Sequence, residues 1–311
     1  MHSSQIAFWR HQPLDDQHAS SLTAATLSFH EQVGGDIVKL TPAGTYQAHA
    51  MGLEDEWDND PLGRRAITFR PVQRPENWLH LDRWSFGMHE ENCLEAATDI
   101  VSRLPPGTPL LATVFSPMSQ AIQLAGAEAL SDHAGHAPEC VRQGLTAVAE
   151  RTVRLIRAYL QCGVAGIYYV SQHHVDGMLA SPLLEWGDAI DQRILDASEG
   201  LALNIMHFHG APLGKQLPPL PEAWRVHFEA ASGNPSADEW MSSRPEPLVL
   251  GLPIERLRQG RHHDVRRKTI AQFAYPQASS IPLLAAACVL PLDFPLDLAA
   301  LWVQTAKEVR S

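Results

Sequence analysis

The sequence predicts an α/β protein, a single (β/α)8 barrel spanning residues 1–311. Three observations carry this. Eight short apolar runs alternate with segments of helical spacing, the order expected of parallel βαβ units. Most of the runs are continuously apolar, as strands covered on both faces are. A chain of 311 residues also suits such a barrel, which takes about 250 residues and tolerates insertions.

Each element has its own local reason. Residues 6–11, Ile-Ala-Phe-Trp-Arg-His, form strand one. The apolar residues of 22–33 recur at helical spacing, and Gly34-Gly35 stops that helix. Strand two is 36–40, closed by Thr41-Pro42. The segment 43–81 is long and irregular, carries Tyr46, His49 and an acidic cluster, and is a candidate lid, because long loops in compact domains tend to be functional. A helix at 90–104, strand three at 109–115 and a short helix at 117–126 follow. Residues 138–162 hold the longest amphipathic pattern, ended by Gly163. Strand four is 166–170, a helix covers 182–198, and strand five is the run 202–210. Strands six (224–229) and seven (248–251), helical stretches at 253–260 and 264–273, strand eight (281–290) and a last helix at 298–309 complete the chain.

Composition narrows the function. Hydrophobic residues at 45% and charged residues at 19% are globular values. A net charge of −11 argues against a general nucleic-acid surface, which needs a basic stripe, yet it allows a local basic pocket for an acidic substrate. No apolar run approaches the ~20 residues of a membrane span. The start, Met-His-Ser-Ser-Gln, has no basic-then-apolar pattern of a secretion signal. Four scattered cysteines, Cys93, Cys140, Cys162 and Cys288, form no CxxC pair. The expectation is a cytoplasmic protein.

In barrels of this kind the chemistry sits at the C-terminal ends of the strands. The polar residues there are Arg10 and His11 on strand one, Lys39 on two, Thr113 and Ser116 on three, Ser171 and His173 on four, His207 and His209 on five, His227 and Glu229 on six, and Cys288 on eight. In an extended strand residues two apart share a face, so the imidazoles of His207-Phe208-His209 stand side by side. Two histidines and a cysteine with an open fourth position are a ligand set of catalytic zinc sites. His207, His209 and Cys288 are therefore the candidate metal ligands. Taken singly, each has a plainer reading: a buried cysteine usually acts as a small hydrophobe, and sixteen histidines let His-x-His pairs arise by chance.

The chain resembles the uroporphyrinogen decarboxylase superfamily along nearly its whole length. The matching stretches are Phe8-Trp-Arg-His11, Asp36-Ile-Val-Lys-Leu-Thr-Pro42, Thr113-Val-Phe-Ser-Pro117, Cys162-Gly-Val-Ala-Gly-Ile-Tyr168, Val249-Leu-Gly-Leu-Pro253 and Cys288-Val-Leu-Pro-Leu-Asp-Phe-Pro295. The resemblance implies a (β/α)8 barrel. Within the superfamily the chain is more similar to the methylcobalamin:thiol (coenzyme M) methyltransferase branch than to the decarboxylase. That branch binds zinc through a His-x-Cys pair on a mid-barrel strand and a late cysteine, where this chain has His207-Phe208-His209 and Cys288. The decarboxylase grips its substrate with an Arg-Gln-Ala-Gly-Arg-Tyr motif, and here Arg10 alone remains of it; Ser171 falls where the decarboxylase has a serine.

These readings imply zinc-assisted methyl transfer to a thiol-type acceptor, with a corrinoid or a methylated small molecule as donor. Arg10, Lys39, Ser171 and Glu229 are the expected catalytic residues, and His11, Tyr46, Ser116, His173 and His227 the expected substrate-binding ones. The expected partners are a small-molecule substrate, a separate corrinoid protein and a second copy of the chain, with no nucleic acid or membrane. Two alternatives stay open: a metal-independent decarboxylase using Arg10 and Lys39 as a carboxylate grip, and a protein that binds a corrinoid or tetrapyrrole without turning it over.

Overall fold

Apolar strands that need cover on both faces obtain it by pairing with one another beneath a layer of helices. The computed structural model describes residues 5–81, 84–214, 217–229, 231, 233–272 and 283–310. Its strands in chain order are β1 (Gln5–Ile6), β2 (Val38–Leu40), β3 (Glu54–Glu56), β4 (Ala66–Phe69), β5 (Leu110–Phe115), β6 (Gly166–Ser171), β7 (Asn204–Phe208), β8 (Trp224–Phe228), β9 (Leu248–Leu252) and β10 (Leu283–Ala286). Eight of these form one sheet in the order β1-β10-β9-β8-β7-β6-β5-β2, and β3 and β4 form a separate hairpin. Every pairing in the large sheet is parallel. The two outer strands meet through Asp36. Its N–H donates to the Ile6 carbonyl at 2.9 Å, and its carboxylate accepts the Ile6 N–H at 2.8 Å. This curls the sheet into the expected TIM-barrel-like α/β fold.

The helices are α1 (Ala19–Val33), α2 (Tyr46–His49), α3 (Met88–Arg103), α4 (Pro117–Ala125), α5 (Ala127–His136), α6 (Pro138–Gln161), α7 (Ser181–Ala197), α8 (Ala237–Ser243), α9 (Ile254–Arg258), α10 (His263–Gln272) and α11 (Leu296–Arg310). Gly34 caps α1 in the left-handed region at φ 73°, a conformation glycine adopts without steric cost. Gly166 opens β6 where a Cβ would collide with the Leu203 carbonyl.

The differences from expectation lie in the loops and at strand ends. Strand one pairs over two residues only, and residues 7–11 continue beyond the ladder. The segment 43–81 is not structureless: it holds α2, the β3–β4 hairpin and a 3-10 turn at Pro75–His80. Helices α5 and α8 were not expected from the spacing. Strand eight is shorter than 281–290, with residues 281–282 outside the described set, and Cys288 lies two residues past the end of β10. Residue 273, the expected end of α10, is also outside the described set.

The main core fills the barrel and the layer between strands and helices. A second core, around Trp78, Met118, Leu145 and Leu183, joins segment 43–81 to α4, α6 and α7. Between α3 and α6 the buried Arg151 guanidinium pairs with Glu90. Among the described residues no helix is long and apolar enough to cross a membrane.

Candidate metal centre

A cavity of about 520 Å³ opens at the C-terminal ends of the strands. The period-two alternation of strand residues decides who faces it. From the first strand, Trp9 and His11 line it; from β6 and beyond, Tyr168, Val170 and Gln172; from β7 and beyond, His207 and His209. Lys39, Glu229 and Cys288 complete the floor and wall.

The three expected ligands come together. One donor atom from each of His207, His209 and Cys288 lies within 4.8 Å of the other two. His209 Nδ1 stands 3.7 Å from Cys288 Sγ and 3.5 Å from Glu229 Oε1. His207 Nδ1 lies 3.3 Å from the His227 carbonyl oxygen. A carbonyl oxygen only accepts, so the proton is on Nδ1 and Nε2 carries a lone pair. That Nε2 is buried and has no hydrogen-bond partner among the described residues. Buried polar atoms are normally satisfied, so an orphaned imidazole lone pair beside a second imidazole and a thiol is what a metal ligand looks like without its ion.

A second layer of hydrogen bonds holds this tautomer. The His227 Nε2–H donates to the Ala286 carbonyl at 3.1 Å. The Tyr168 hydroxyl donates to His227 Nδ1 at 2.6 Å. The His207 and His227 rings lie 4.7 Å apart. The Trp9 indole N–H donates to the Cys288 carbonyl at 2.7 Å, holding the loop that carries the thiol.

The electrostatics suit a cation. Burial, reinforced by His227, His209 and Lys39, holds the His207 imidazole well below its ordinary range, so it stays neutral. Burial also lowers His209, with Glu229 opposing and Arg64 adding to the effect. Burial and the Glu229 charge push the Cys288 thiol up to about 12, against Lys39 and Arg64. A bound divalent cation reverses the last effect and deprotonates such a thiol. The donor set, two neutral imidazoles and one thiol, therefore fits zinc.

The remaining expected residues divide by the same alternation. His11, Lys39 and Glu229 line the cavity. Burial, with Lys39 alongside, lowers His11 to about 3. Burial takes Lys39 down to about 7; its ammonium sits 4.6 Å from the Tyr168 ring centroid and 3.3 Å from Thr41 Oγ1. Six expected residues do not line the cavity. Arg10 alternates outward between Trp9 and His11, and its guanidinium lies 5.5 Å from the ring centroid of Phe29 on α1. Tyr46 faces the helix layer, where its hydroxyl donates to the Thr113 carbonyl at 2.6 Å. Ser116 caps α4, its hydroxyl accepting the Ser119 N–H at 3.0 Å. Ser171 and His173 turn toward α7, out of phase with Tyr168 and Val170. His227 lies beneath His207 as its positioning partner rather than at the cavity surface.

Sequence reasoning missed Arg64, Arg65 and Arg70, which line the cavity from segment 43–81. Arg64 forms a two-pronged pair with Asp60, the shorter contact being 2.7 Å. Arg65 reaches Asp16 at 2.8 Å and Asp55 at 3.6 Å. Arg70 donates to the Ile122 carbonyl at 2.9 Å and to that of Gln123. The adjacent arginines at 64 and 65 were a signal in a segment read mainly for its acidic cluster.

No protein-family model matches the chain, and no curated protein matches it. Solved structures do share its fold. A methyltransferase from Methanosarcina mazei superposes with a TM-score of 0.74 at 13% identity, covering 100% of this chain and 95% of that one. A B12-independent methionine synthase from Shewanella sp. W3-18-1, in complex with selenomethionine, superposes with a TM-score of 0.63 at 13% identity, covering 100% and 98%. At these identities the likeness concerns the fold: the chain is an α/β barrel of the kind seen in these methyl-transfer enzymes.

Proposed function

We propose that this chain is a zinc-dependent methyltransferase acting on a thiol-type acceptor, with a corrinoid or a methylated small molecule as donor. The observation that carries the proposal is the unpartnered, buried Nε2 of His207 beside His209 and Cys288 at the floor of a substrate-sized cavity. The shared fold with two methyl-transfer enzymes supports it.

His207, His209 and Cys288 would hold the ion. Zinc there would supply Lewis acidity that lowers the pKa of a thiol acceptor. The protein's own groups do the rest. His227 and Tyr168 hold the His207 imidazole in the ligating tautomer. Glu229 lies at the rim, 3.5 Å from His209, where its carboxylate can take the acceptor's proton. Lys39, Arg64, Arg65 and Arg70 line the cavity; Arg64 and Arg65 are already paired with carboxylates, which leaves Lys39 and Arg70 as the basic groups without an acidic partner among the described residues. That wall suits an acceptor carrying an acidic group, oriented with its thiol toward Cys288 and His209. Segment 43–81 forms much of the wall and acts as the lid that limits water. A separate corrinoid protein, as donor, would reach the methyl-accepting atom only through this mouth.

The decarboxylase reading loses half of its grip, because Arg10 packs on Phe29 outside the cavity. The test is methyl transfer from methylcobalamin to a panel of acidic thiols, with and without chelation of the protein. Activity that chelation abolishes and zinc restores supports the proposal. Protein loaded with zinc that transfers no methyl group to any thiol in the panel, or activity indifferent to chelation, overturns it.

A further inference from the structure

The sequence Ser171-Gln-His-His174 places a second pair of histidines outside the cavity, between the end of β6 and α7. Their rings stack with centroids 4.1 Å apart. Both turn Nδ1 to one hydroxyl: Ser171 Oγ is 3.1 Å from His173 Nδ1 and 2.6 Å from His174 Nδ1. Both Nε2 atoms therefore turn the other way, toward α7. There Asp188 and Asp191, three residues apart and so on one face of the helix, present their carboxylates. Asp188 Oδ1 is 3.0 Å from His174 Nε2. Asp191 Oδ2 is 3.8 Å from His173 Nε2.

One donor atom each from His173, His174 and Asp188 lies within 4.8 Å of the other two. A tetrahedral zinc ion with ligands at about 2.0–2.2 Å sets its donors roughly 3.4 Å apart, a spacing these atoms reach with small side-chain shifts. An independent observation points to a missing ligand. His173 Nε2 and Asp191 Oδ2 are both buried and both lack a hydrogen-bond partner among the described residues; the two residues are 0% and 1% exposed. The Ser171 hydroxyl donates to His174 Nδ1 and accepts the His173 Nδ1–H, which leaves the His173 lone pair on the unpartnered Nε2; the His174 Nε2–H donates to Asp188 at 3.0 Å, a proton that a bound ion would displace. Gly187 leaves room for this arrangement, since a Cβ there would lie 2.9 Å from His173 Nε2. The Asp188 side chain is 43% exposed and gives an ion a way in from solvent.

We propose that His173, His174 and Asp188 form a second divalent-metal site, of zinc type, that clamps α7 to the end of β6, with Asp191, whose Oδ1 accepts the Tyr169 hydroxyl at 2.5 Å, alongside His173. Lying beneath α7 and outside the cavity, it is a structural rather than a catalytic site. It is distinct from the cavity centre. Phe208, between His207 and His209, points the other way, and its ring lies 5.1 Å from that of His174. The His209 N–H donates to the Ser171 carbonyl at 2.8 Å, so the clamp also steadies the strand end that carries the first site.

The experiment is titration of chelator-treated protein with Co²⁺, followed by visible absorption, and with Zn²⁺, followed by calorimetry. The wild type is compared with Cys288→Ser, with the His207→Ala, Cys288→Ala double variant, and with Asp188→Ala, each checked for folding by circular dichroism. The wild type is expected to take up two equivalents. The double variant keeps one, whose Co²⁺ spectrum lacks a thiolate charge-transfer band. Asp188→Ala, at a partly exposed position, retains that band and binds one of its two ions at least tenfold more weakly. Adding Asp188→Ala to the double variant removes the remaining ion. A folded double variant, or a folded Cys288→Ser, that binds no metal at all overturns the second site, and so does residual binding that Asp188→Ala leaves unchanged. A thiolate band missing from every protein while Asp188→Ala still loses an ion counts against the cavity centre and supports the second site.

Discussion

Two histidine pairs stand at neighbouring strand ends and meet different fates. His207 and His209, two apart at the end of β7, share a face, and that face opens on the cavity. His173 and His174, adjacent after β6, stack on each other and are closed in by α7. The first pair is completed by a thiol from β10's end, nearly eighty residues away, and leaves an opening for a small molecule. The second is flanked by Asp188 of the very next helix and lies outside the cavity. The type of side chain does not separate the two. What separates them is the layer each pair faces, and whether a helix covers that layer.

Removing ligands from the open pair should have the largest effect. The His207→Ala, Cys288→Ala double variant is expected to lose the zinc ion of the cavity completely, seen as the loss of the Co²⁺ thiolate band, and with it all methyl transfer. A double variant that retained the band would place the thiolate ligand elsewhere and dissolve the contrast.

Lys39 sharpens the contrast from the open side, because it is a cation buried against aromatic rings. Burial takes its folded pKa down to about 7 from the ordinary lysine value of 10.5. Between those values the unfolded chain holds a proton that the folded chain lacks, so stability rises with pH across that window. In chelator-treated protein, Lys39→Met should remove a slope approaching about 1.4 kcal/mol per pH unit, read from urea unfolding at several pH values. Parallel pH profiles for variant and wild type would show that Lys39 titrates normally.

The closed pair should be sensitive to volume. Gly187→Ala forces a methyl group against His173 and the Met118 Cβ, 3.6 Å away. Overpacking of this kind costs about 1–3 kcal/mol. Thermal unfolding should register that loss while the Co²⁺ thiolate band stays intact. A band weakened as much as stability would mean that the two pairs are one coupled unit.

The smallest effect is expected at Tyr168, whose hydroxyl fixes His227 and, through it, His207. Tyr168→Phe keeps the ring beside Lys39 and removes the hydrogen bond. Zinc affinity of the cavity should fall about tenfold, as for other groups that orient a ligand, measured by competition with a chromophoric chelator. An unchanged affinity would mean that backbone packing alone holds His207.

Much of this was legible before the fold. The eight apolar runs marked the barrel, and strand six, Trp-Arg-Val-His-Phe, pairs on both sides as expected. The three candidate ligands were named from strand ends alone and do come together. The errors follow one rule applied too loosely. A polar residue ending a strand need not face the mouth, because neighbours along a strand face opposite ways. Trp9 and His11 face in, so Arg10 had to face out; Tyr168 and Val170 face in, so Ser171 had to face the helices.

The sequence by itself determined the order of strands and helices, the neutral charge-poor core and the soft donors available at the strand ends. These are local properties, set by spacing, turn residues and side-chain chemistry. Tertiary structure alone decided that Cys288 meets His209, that the His227 carbonyl orients His207, that arginines of segment 43–81 wall the cavity, and that Asp188 and Asp191 face the second histidine pair. Each of these is a contact between elements, and its distance depends on how the sheet curls and where the helices settle, which no single stretch of sequence encodes.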